Sequence, residues 1–140
     1  MSARPKRALV TGGSSGLGAS IVRWLDDRDY DVVVLDRVQP GFERLVVEFI
    51  ACDLRERDSV NRALPTLIAA GPYDIVVLNA GINATGRFET IDAQDHLDVL
   101  RANAEAPAII AARLLEADAC LAGGAMAFIS SLSHFTGYPG

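Results

Sequence analysis

The stretch Thr11-Gly12-Gly13-Ser14-Ser15-Gly16-Leu17-Gly18 decides the fold of this 140-residue chain. A short apolar run, residues 8–10, precedes the stretch and is typical of a buried strand. Apolar side chains in residues 17–25 then recur about every 3.6 positions, which predicts a helix. Because it joins a strand to a helix, the stretch predicts a phosphate-binding turn; the alternative is a flexible loop.

Three glycines of this turn have roles that a larger residue would block. Gly12 allows a tight exit from the strand, Gly16 lets the backbone approach a pyrophosphate, and Gly18 lets the helix pack closely on the sheet. The N–H groups at the start of the helix face the phosphates, with the positive end of the helix dipole. Ser14 and Ser15 add hydroxyl donors. The turn therefore predicts a site for a dinucleotide pyrophosphate.

Four more short apolar runs predict four more strands, in residues 32–35, 46–50, 75–78 and 125–129. Most of these runs are continuous rather than alternating, as expected for strands buried on both faces of a parallel sheet. Right-handed crossovers through the intervening helices place the first strand in the centre. The sequence thus predicts a single α/β domain over residues 1–140, a doubly wound Rossmann sheet with strand order 3-2-1-4-5.

The helix predicted between the third and fourth strands has start and stop signals. Asp58 or Ser59 is the predicted cap at its start, and Gly71-Pro72 ends it. Pro65 lies inside the apolar pattern and argues against a regular helix unless it falls in the first turns.

Two other connections have unusual features. A long helical pattern covers residues 92–117, and Pro107 within it predicts a kink or bulge near Asn103. Residues 37–44, between the second and third strands, are too few for a crossover helix, so a loop or a single helical turn is expected there.

Composition and charge limit the classes of partner. Half of the residues are apolar, 22% are charged and the net charge is −5, which favours a packed domain with an acidic surface. Such a surface argues against nucleic acid and anionic membranes as partners. Cys52 and Cys120 stand alone, so neither a metal site nor a disulfide framework is expected. Residues 1–7 lead into too few apolar residues for a signal peptide, and we expect a reducing, cytoplasmic location.

Asp36 ends the second strand, 18 residues after Gly18. A carboxylate at this position accepts hydrogen bonds from ribose hydroxyls and repels a 2′-phosphate, which favours NAD over NADP. Arg37 follows directly and could instead stack on adenine or meet a phosphate. Asp36 could also be an ordinary residue of a turn at the strand end.

Several short motifs in register make the sequence resemble the short-chain dehydrogenase/reductase family. The matching residues, in the family's order and spacing, are Thr11, Gly12, Gly16, Gly18, Asp36, Cys52-Asp53-Leu54, Asn79-Ala80-Gly81, Asn103 and Ile129-Ser130-Ser131. Leu78 stands where family members usually carry a further asparagine. The turn and the resemblance together predict these cofactor-binding residues: Gly12, Ser14, Ser15, Gly16, Leu17, Gly18, Asp36, Arg37, Asp53, Leu54, Asn79, Ala80 and Gly81.

The resemblance also implies a role for each matching residue. Asp53, with Leu54 beside it, would hydrogen-bond the adenine amino group, and Asn79-Ala80-Gly81 would pack the end of the fourth strand against adenosine and ribose. Asn103 would hold a water in a proton relay, and Ser131 would hydrogen-bond the substrate oxygen, which makes these two the predicted catalytic residues. The simpler alternatives are a turn residue for Asn79, a surface helix residue for Asn103 and a strand-end cap for Ser131.

The resemblance implies an NAD(P)-dependent oxidoreductase that moves a hydride between nicotinamide and a secondary alcohol or ketone. Family members carry a Tyr-x-x-x-Lys pair on a helix further along, where the lysine lowers the tyrosine pKa for proton transfer. The sequence stops at Gly140, and Tyr138 is too close to Ser131 to be that tyrosine. We therefore expect a sheet that is incomplete on its C-terminal side, and a fragment or part of a longer chain. The alternative is a catalytically inactive dinucleotide-binding fragment or module.

Three remaining expectations concern substrate and assembly. Substrate determinants are expected in residues 82–89 and 132–138, and His134 is interpreted as a loop residue that lines the substrate entrance or is merely exposed. Members of the family that the sequence resembles often pair through the long helix around Asn103, so the resemblance implies that a homo-oligomer could form there. A methyltransferase is disfavoured, because the matches at residues 79–81 and at Ser131 have no place in one.

Overall fold

A parallel sheet of five strands forms the centre of the molecule. The computed structural model describes residues 4–42 and 47–131, and of Val47 only the backbone. In chain order its elements are β1 (Lys6–Thr11), α1 (Gly16–Asp26), β2 (Tyr30–Asp36), β3 (Val47–Ala51), α2 (Arg57–Ala70), β4 (Tyr73–Leu78), a 3-10 turn (Phe88–Thr90), α3 (Ala93–Leu100), a π-helical turn (Arg101–Glu105), α4 (Ala106–Glu116) and β5 (Cys120–Phe128).

The strand order is β3-β2-β1-β4-β5, and every neighbouring pair is parallel. The predicted doubly wound sheet with order 3-2-1-4-5 is therefore confirmed. Leu9 pairs in register with Val33 on one side and with Val76 on the other. Because the strands are parallel, the loops that follow β1, β2 and β4 lie at the same edge of the sheet, and the reversal of strand order between β1 and β4 makes this edge the topological switch point.

The two faces of the sheet bury two separate apolar clusters. Leu9 packs with side chains of α2 and α4, whereas Ala8 and Val10 pack with Val22 and Leu25 of α1. The three consecutive residues of β1 are fully buried although they point to opposite faces. The sequence of β1 is continuously apolar because helices cover both faces of the sheet, as predicted.

The long helix is interrupted where the sequence predicted a bulge. Residues 101–105 form a π-helical turn between α3 and α4, in which the N–H of Ala106 donates to the carbonyl of Arg101. Pro107 has no N–H for the carbonyl of Asn103, four residues before it, so the α-helical ladder cannot continue unbroken there. The irregularity near Asn103 is confirmed, and Asn103 lies inside the wider turn.

The start of α2 differs from the sequence prediction. The helix begins at Arg57 after Glu56, and no side chain caps it, so the prediction of Asp58 or Ser59 as the cap is wrong. The hydroxyl of Ser59 instead accepts a hydrogen bond from the N–H of Asp53, 3.0 Å away. Pro65 lies in the middle of a continuous helix, contrary to expectation, and it is exposed, so the carbonyl that loses its N–H partner lies on the solvent side. The predicted end at Gly71 is confirmed.

Two other boundaries depend on local geometry. β5 begins at Cys120, five residues before the predicted apolar run. Its register against β4 shifts between Tyr73 and Ile75, and Gly123 in the shifted segment has φ +83°. Residues 37–42 contain no helix, as expected for a short connection, and residues 43–46 lie outside the described part of the chain. Among the helices described, none combines the length and the apolar character needed to cross a membrane.

Candidate cofactor site

A cavity of about 400 Å³ opens at the carboxyl edge of the sheet, where β1, β2, β3 and β4 end. Eleven of the predicted cofactor residues line it: Gly12, Ser15, Leu17, Gly18, Asp36, Arg37, Asp53, Leu54, Asn79, Ala80 and Gly81. Ser14 and Gly16, also predicted, lie beside the cavity in the same turn. The fold thus gathers residues that are up to 69 positions apart in sequence into one concave surface.

The glycine turn is packed so closely that side chains are excluded at two positions. Gly12 has φ +66°, and a Cβ on it would lie 2.8 Å from Cα of Ala80. A Cβ on Gly18 would lie 2.0 Å from the carbonyl oxygen of Gly12, so the first turn of α1 touches the end of β1. Around Gly16 the corresponding position is open. Ser15, Leu17 and Gly18 at the start of α1 line the cavity, so the first turn of this helix forms part of its wall.

Thr11 and Asn79 join the ends of β1 and β4 under the cavity. The Thr11 hydroxyl accepts hydrogen bonds from the N–H groups of Asn79 and Ala80, each at 3.0 Å. The Asn79 amide donates to the carbonyls of Thr11, at 3.1 Å, and of Gly12, at 3.3 Å. Thr11 is 2% exposed, so these bonds are shielded from water. The sequence alone predicts no role for Thr11, although it is the first residue of the motif.

Asp36 organises the backbone at the end of β2. One carboxylate oxygen accepts from the N–H of Ser14 at 3.0 Å, and the other accepts from Arg37 at 2.7 Å and from Val38 at 3.3 Å. The Ser14 hydroxyl donates to the carbonyl of Val38. Ser14 therefore connects the glycine turn to the residues after β2, whereas Ser15 lines the cavity.

Asp53, after β3, forms an ion pair with Arg55 that was not predicted from the sequence. Nε and Nη2 of Arg55 donate to its carboxylate, with distances of 3.0 and 2.6 Å, and the backbone N–H of Arg55 donates at 3.0 Å. Hydrogen bonding from Arg55 lowers the pKa of the Asp53 carboxyl below its ordinary value. Arg55 itself lines the cavity. The sequence signal that could have indicated this ion pair is the opposite charge of Asp53 and Arg55, two residues apart just after a strand.

The wall of the cavity contains both charged and apolar side chains. Asp36 and Asp53 are its acids, Arg37 and Arg55 its bases, and Cys52 with Leu35 adds apolar surface. Burial raises the pKa of the Cys52 thiol, which therefore stays neutral. The wall thus combines acceptors and donors for a polar ligand with a patch that a flat apolar ring would cover.

Asn103 fastens the segment that leaves β4. Its side-chain oxygen accepts from the N–H of Ile82 and its side-chain nitrogen donates to the carbonyl of Ile82, both at 2.8 Å. Ile82 lines the cavity, so the π-helical turn is connected to the cavity wall. The predicted catalytic Asn103 therefore positions backbone next to the predicted cofactor residues.

Ser131, the other predicted catalytic residue, is exposed and lies three residues beyond β5. The N–H of Ile129 donates to the carbonyl of Leu78 at 3.0 Å, which keeps this part of the chain beside the end of β4. His134, Tyr138 and the expected substrate determinants in residues 132–138 lie outside the described residues.

Comparison with known proteins supports the resemblance. The family model described as short chain dehydrogenase matches residues 6–140. A short chain dehydrogenase of Pseudocercospora fijiensis is 30% identical over 141 residues, which are 91% of this chain and 45% of that protein. The chain thus spans about half the length of the curated relatives it matches, with shares of 45%, 57% and 43% for three of them.

Solved structures share the architecture. A short chain dehydrogenase family protein from Francisella tularensis superposes with a TM-score of 0.85 at 28% identity and covers 97% of this chain and 55% of its own. A 4-hydroxyisoleucine dehydrogenase complexed with NADH has a TM-score of 0.81 at 20% identity (96% and 58% covered). A putative gluconate 5-dehydrogenase from Beutenbergia cavernae with bound NADP has 0.72 at 24% (80% and 48%). The parallel sheet, the glycine turn and the match over residues 6–140 lead to one conclusion: the chain belongs to the short chain dehydrogenase family.

Proposed function

We propose that this protein binds NAD along the cavity and takes part in hydride transfer between the nicotinamide and a secondary alcohol or ketone. The observation that carries the proposal is the order of groups along the cavity. The glycine turn follows β1, Asp36 ends β2, and Asp53 follows β3. Adjacent strands lie about 4.8 Å apart, so these groups succeed one another outward at the spacing of phosphate, ribose and base.

The residues present fit such a cofactor. The close packing at Gly12 and Gly18 sets the first turn of α1 against the ends of β1 and β4, where this turn lines the cavity. Backbone donors and a positive helix end suit a pyrophosphate. The Asp36 carboxylate, already aligned by three backbone N–H groups, suits a ribose hydroxyl.

The preference for NAD over NADP rests on the charge of Asp36. A 2′-phosphate placed at the end of β2 would meet a carboxylate, and like charges at short distance repel. Arg37 lies next to Asp36 and would attract the same phosphate. We assign the greater weight to Asp36, because its carboxylate is held at the strand end by the N–H groups of Ser14, Arg37 and Val38.

In the proposed reaction the nicotinamide supplies or accepts the hydride, and the protein supplies positions and hydrogen bonds. Ser131 would donate a hydrogen bond to the substrate oxygen at the carboxyl edge of β5. Asn103 would hold Ile82, and with it the wall next to the reacting end of the cavity. A donor aimed at an oxygen that gains negative charge during reduction stabilises the transition state.

Titration of the protein with NADH and NADPH, followed by quenching of tryptophan fluorescence, tests the cofactor part. We expect saturable binding of NADH, with an affinity at least about tenfold higher than for NADPH, since one repulsive charge contact is worth roughly 1.4 kcal/mol or more. Oxidation of NADH by a panel of ketones tests the catalytic part: we expect no turnover from these 140 residues alone, and turnover from a longer chain that carries the Tyr-x-x-x-Lys pair. Failure of NADH to bind would overturn the proposal, and equal binding of both cofactors would overturn the preference.

A further inference from the structure

We propose that Arg55 selects the base of the dinucleotide, because it holds the Asp53 carboxylate in one orientation as a pure hydrogen-bond acceptor. The base end of the cavity then favours a purine with an exocyclic amino group over a purine with an oxo group at the same position. Arg55 acts here through Asp53, as a positioning residue. The inference rests on the proposed function and adds the specificity of one end of that site.

The position of Asp53 identifies the part of the ligand that it meets. β3 is the outermost strand on its side of the sheet, and Asp53 follows it by two residues. Beyond the glycine turn and Asp36, this is the last group along the cavity. Cys52, Leu54 and Leu35 line the cavity beside Asp53, so apolar groups border this end of the site and suit the face of a flat ring.

The geometry of the ion pair fixes the carboxylate. Arg55 donates three N–H groups to Asp53: Nε lies 3.0 and 3.2 Å from the two oxygens, Nη2 lies 2.6 Å from one, and the backbone N–H lies 3.0 Å from the other. An ionised carboxylate has roughly four acceptor sites. About one site therefore remains for a ligand, on a group whose plane the guanidinium fork sets.

The charge state of Asp53 decides which ligand atom can use that site. The ordinary pKa of an aspartate carboxyl, 3.8, already lies below the physiological range, and hydrogen bonding from Arg55 lowers the pKa of Asp53 further, so this group is ionised there and cannot donate. An amino group offers the N–H that an ionised carboxylate requires. An oxo group offers only lone pairs, which the carboxylate repels.

Arg55 is also held from the opposite side. Its Nη1 lies 3.8 Å from a carboxylate oxygen of Asp98 on α3, and Asp98 accepts a hydrogen bond from Gln94 at 2.7 Å. Asp53 and Asp98 are 23% and 18% exposed, so solvent screens both contacts only in part. A guanidinium between two carboxylates keeps its direction, which a lysine with a single point charge would not achieve.

The test compares the dissociation constants of NADH and of reduced nicotinamide hypoxanthine dinucleotide, which carries an oxo group in place of the adenine amino group. For the unaltered protein we expect a preference of about tenfold or more for NADH, the equivalent of one hydrogen bond to a charged group. In Arg55→Gln the preference should fall to about threefold or less, with Arg55→Lys in between. In Asp53→Asn it should also collapse, because an amide both donates and accepts.

Arg57→Gln is the matched control. Arg57 lies two residues further along, pairs with Glu105 on the π-helical turn and does not line this cavity. This variant should keep the preference of the unaltered protein. Thermal unfolding of each variant separates loss of folding from loss of selectivity, because a merely structural role of Arg55 would weaken both ligands equally and leave the ratio unchanged.

The outcomes distinguish this inference from the proposed function. If NADH binds and Arg55→Gln keeps the preference, or loses affinity for both ligands alike, the role of Arg55 is wrong while the cofactor site stands. If Arg55→Gln changes the ratio of NADH to NADPH instead, Arg55 meets a phosphate rather than the base, and the inference is again wrong. If neither dinucleotide binds the unaltered protein, the inference and the proposed function fail together.

Discussion

Asn103 and Ile82 form a closed pair, in which the side-chain amide of one residue satisfies both backbone groups of the other at 2.8 Å. The side chain of Asn103 thus supplies Ile82 with the two backbone hydrogen bonds that a neighbouring strand would otherwise supply. Asn103 lies in the π-helical turn, and its partner Ile82 lines the cavity. The position of this part of the cavity wall therefore depends on the irregular turn of the helix.

Loss of this pair is expected to loosen the segment after β4. Asn103→Asp keeps the acceptor for the N–H of Ile82 but sets a carboxylate oxygen against its carbonyl. We expect a loss of about 0.5–1.5 kcal/mol of unfolding free energy, the usual value of an exposed hydrogen bond, measured by urea denaturation. Asn83→Asp, at the neighbouring exposed position, should change stability by less than about 0.5 kcal/mol. Equal losses in both variants would contradict the positioning role of Asn103.

Asp36 is expected to control the choice between NAD and NADP. In Asp36→Asn the repulsion of a 2′-phosphate is gone and Arg37 remains, so the affinity for NADPH should rise relative to NADH by about tenfold. Dissociation constants from fluorescence titration check this ratio. Asp31→Asn, on the same strand at the opposite end of the sheet, serves as the control and should leave the ratio unchanged. A preference that survives in Asp36→Asn would assign cofactor choice to another residue.

Gly18 is expected to tolerate no side chain. A Cβ would lie 2.0 Å from the Gly12 carbonyl oxygen, so Gly18→Ala must push α1 away from the turn. The N–H groups at the start of α1 then move, and binding of NADH should weaken by about a hundredfold, at a cost of roughly 1–3 kcal/mol in stability. Gly41→Ala is the control, because nothing lies within 4 Å of its Cβ position. Calorimetric titration of both variants measures the difference, and similar affinities would refute the packing argument.

The Asp53 carboxyl is expected to make stability depend on pH in the acid range. Because its pKa is lower in the folded protein than the ordinary 3.8, the ionised group stabilises the fold above that pH. This contribution disappears as the pH falls through the folded-state pKa. Asp53→Asn should therefore lower the unfolding free energy at about pH 7 and have little effect at about pH 2.

The control for the acid range is Glu89→Gln, which removes an exposed carboxylate paired with Arg87. An exposed pair of this kind contributes little, so stability should change little at either pH. Urea denaturation at both pH values provides the free energies. An Asp53→Asn variant equally destabilised at both would show that the charge of Asp53 is not what stabilises this loop.

Ser131 is expected to affect turnover rather than cofactor binding. If its hydroxyl donates to the substrate oxygen, Ser131→Ala should lower kcat by about 10²–10³-fold, as for other donors aimed at a developing oxyanion, and leave the NADH dissociation constant unchanged. Ser130→Ala, one residue earlier, should retain activity. The measurement is steady-state reduction of a ketone by a longer chain that carries the expected Tyr-x-x-x-Lys pair, and full activity of Ser131→Ala there would remove Ser131 from the catalytic group.

Most of the architecture was readable from local patterns. The apolar runs, the helical repeat after the glycine turn and the break near Pro107 each depend on a few consecutive residues and on whether their side chains are buried. The strand order followed from the handedness of crossovers, which holds for nearly all parallel sheets. The start of α2 could not be predicted from local patterns, because both Asp58 and Ser59 are good capping residues and only the backbone path decides that Ser59 bonds to Asp53 instead.

The sequence by itself predicted the strands and the glycine turn, because burial and backbone sterics act within short stretches of chain, and the strand order followed from crossover handedness. The family was implied by the resemblance of several motifs in register. Only the tertiary structure decided which groups the site residues face. Ser14 meets Val38, Asn79 meets Thr11, Asn103 meets Ile82, and Arg55 bridges Asp53 and Asp98. Most of these partners lie 21 to 68 residues apart and are brought together by strand register and by one π-helical turn, and even the neighbouring Asp53 and Arg55 depend on how the chain leaves β3.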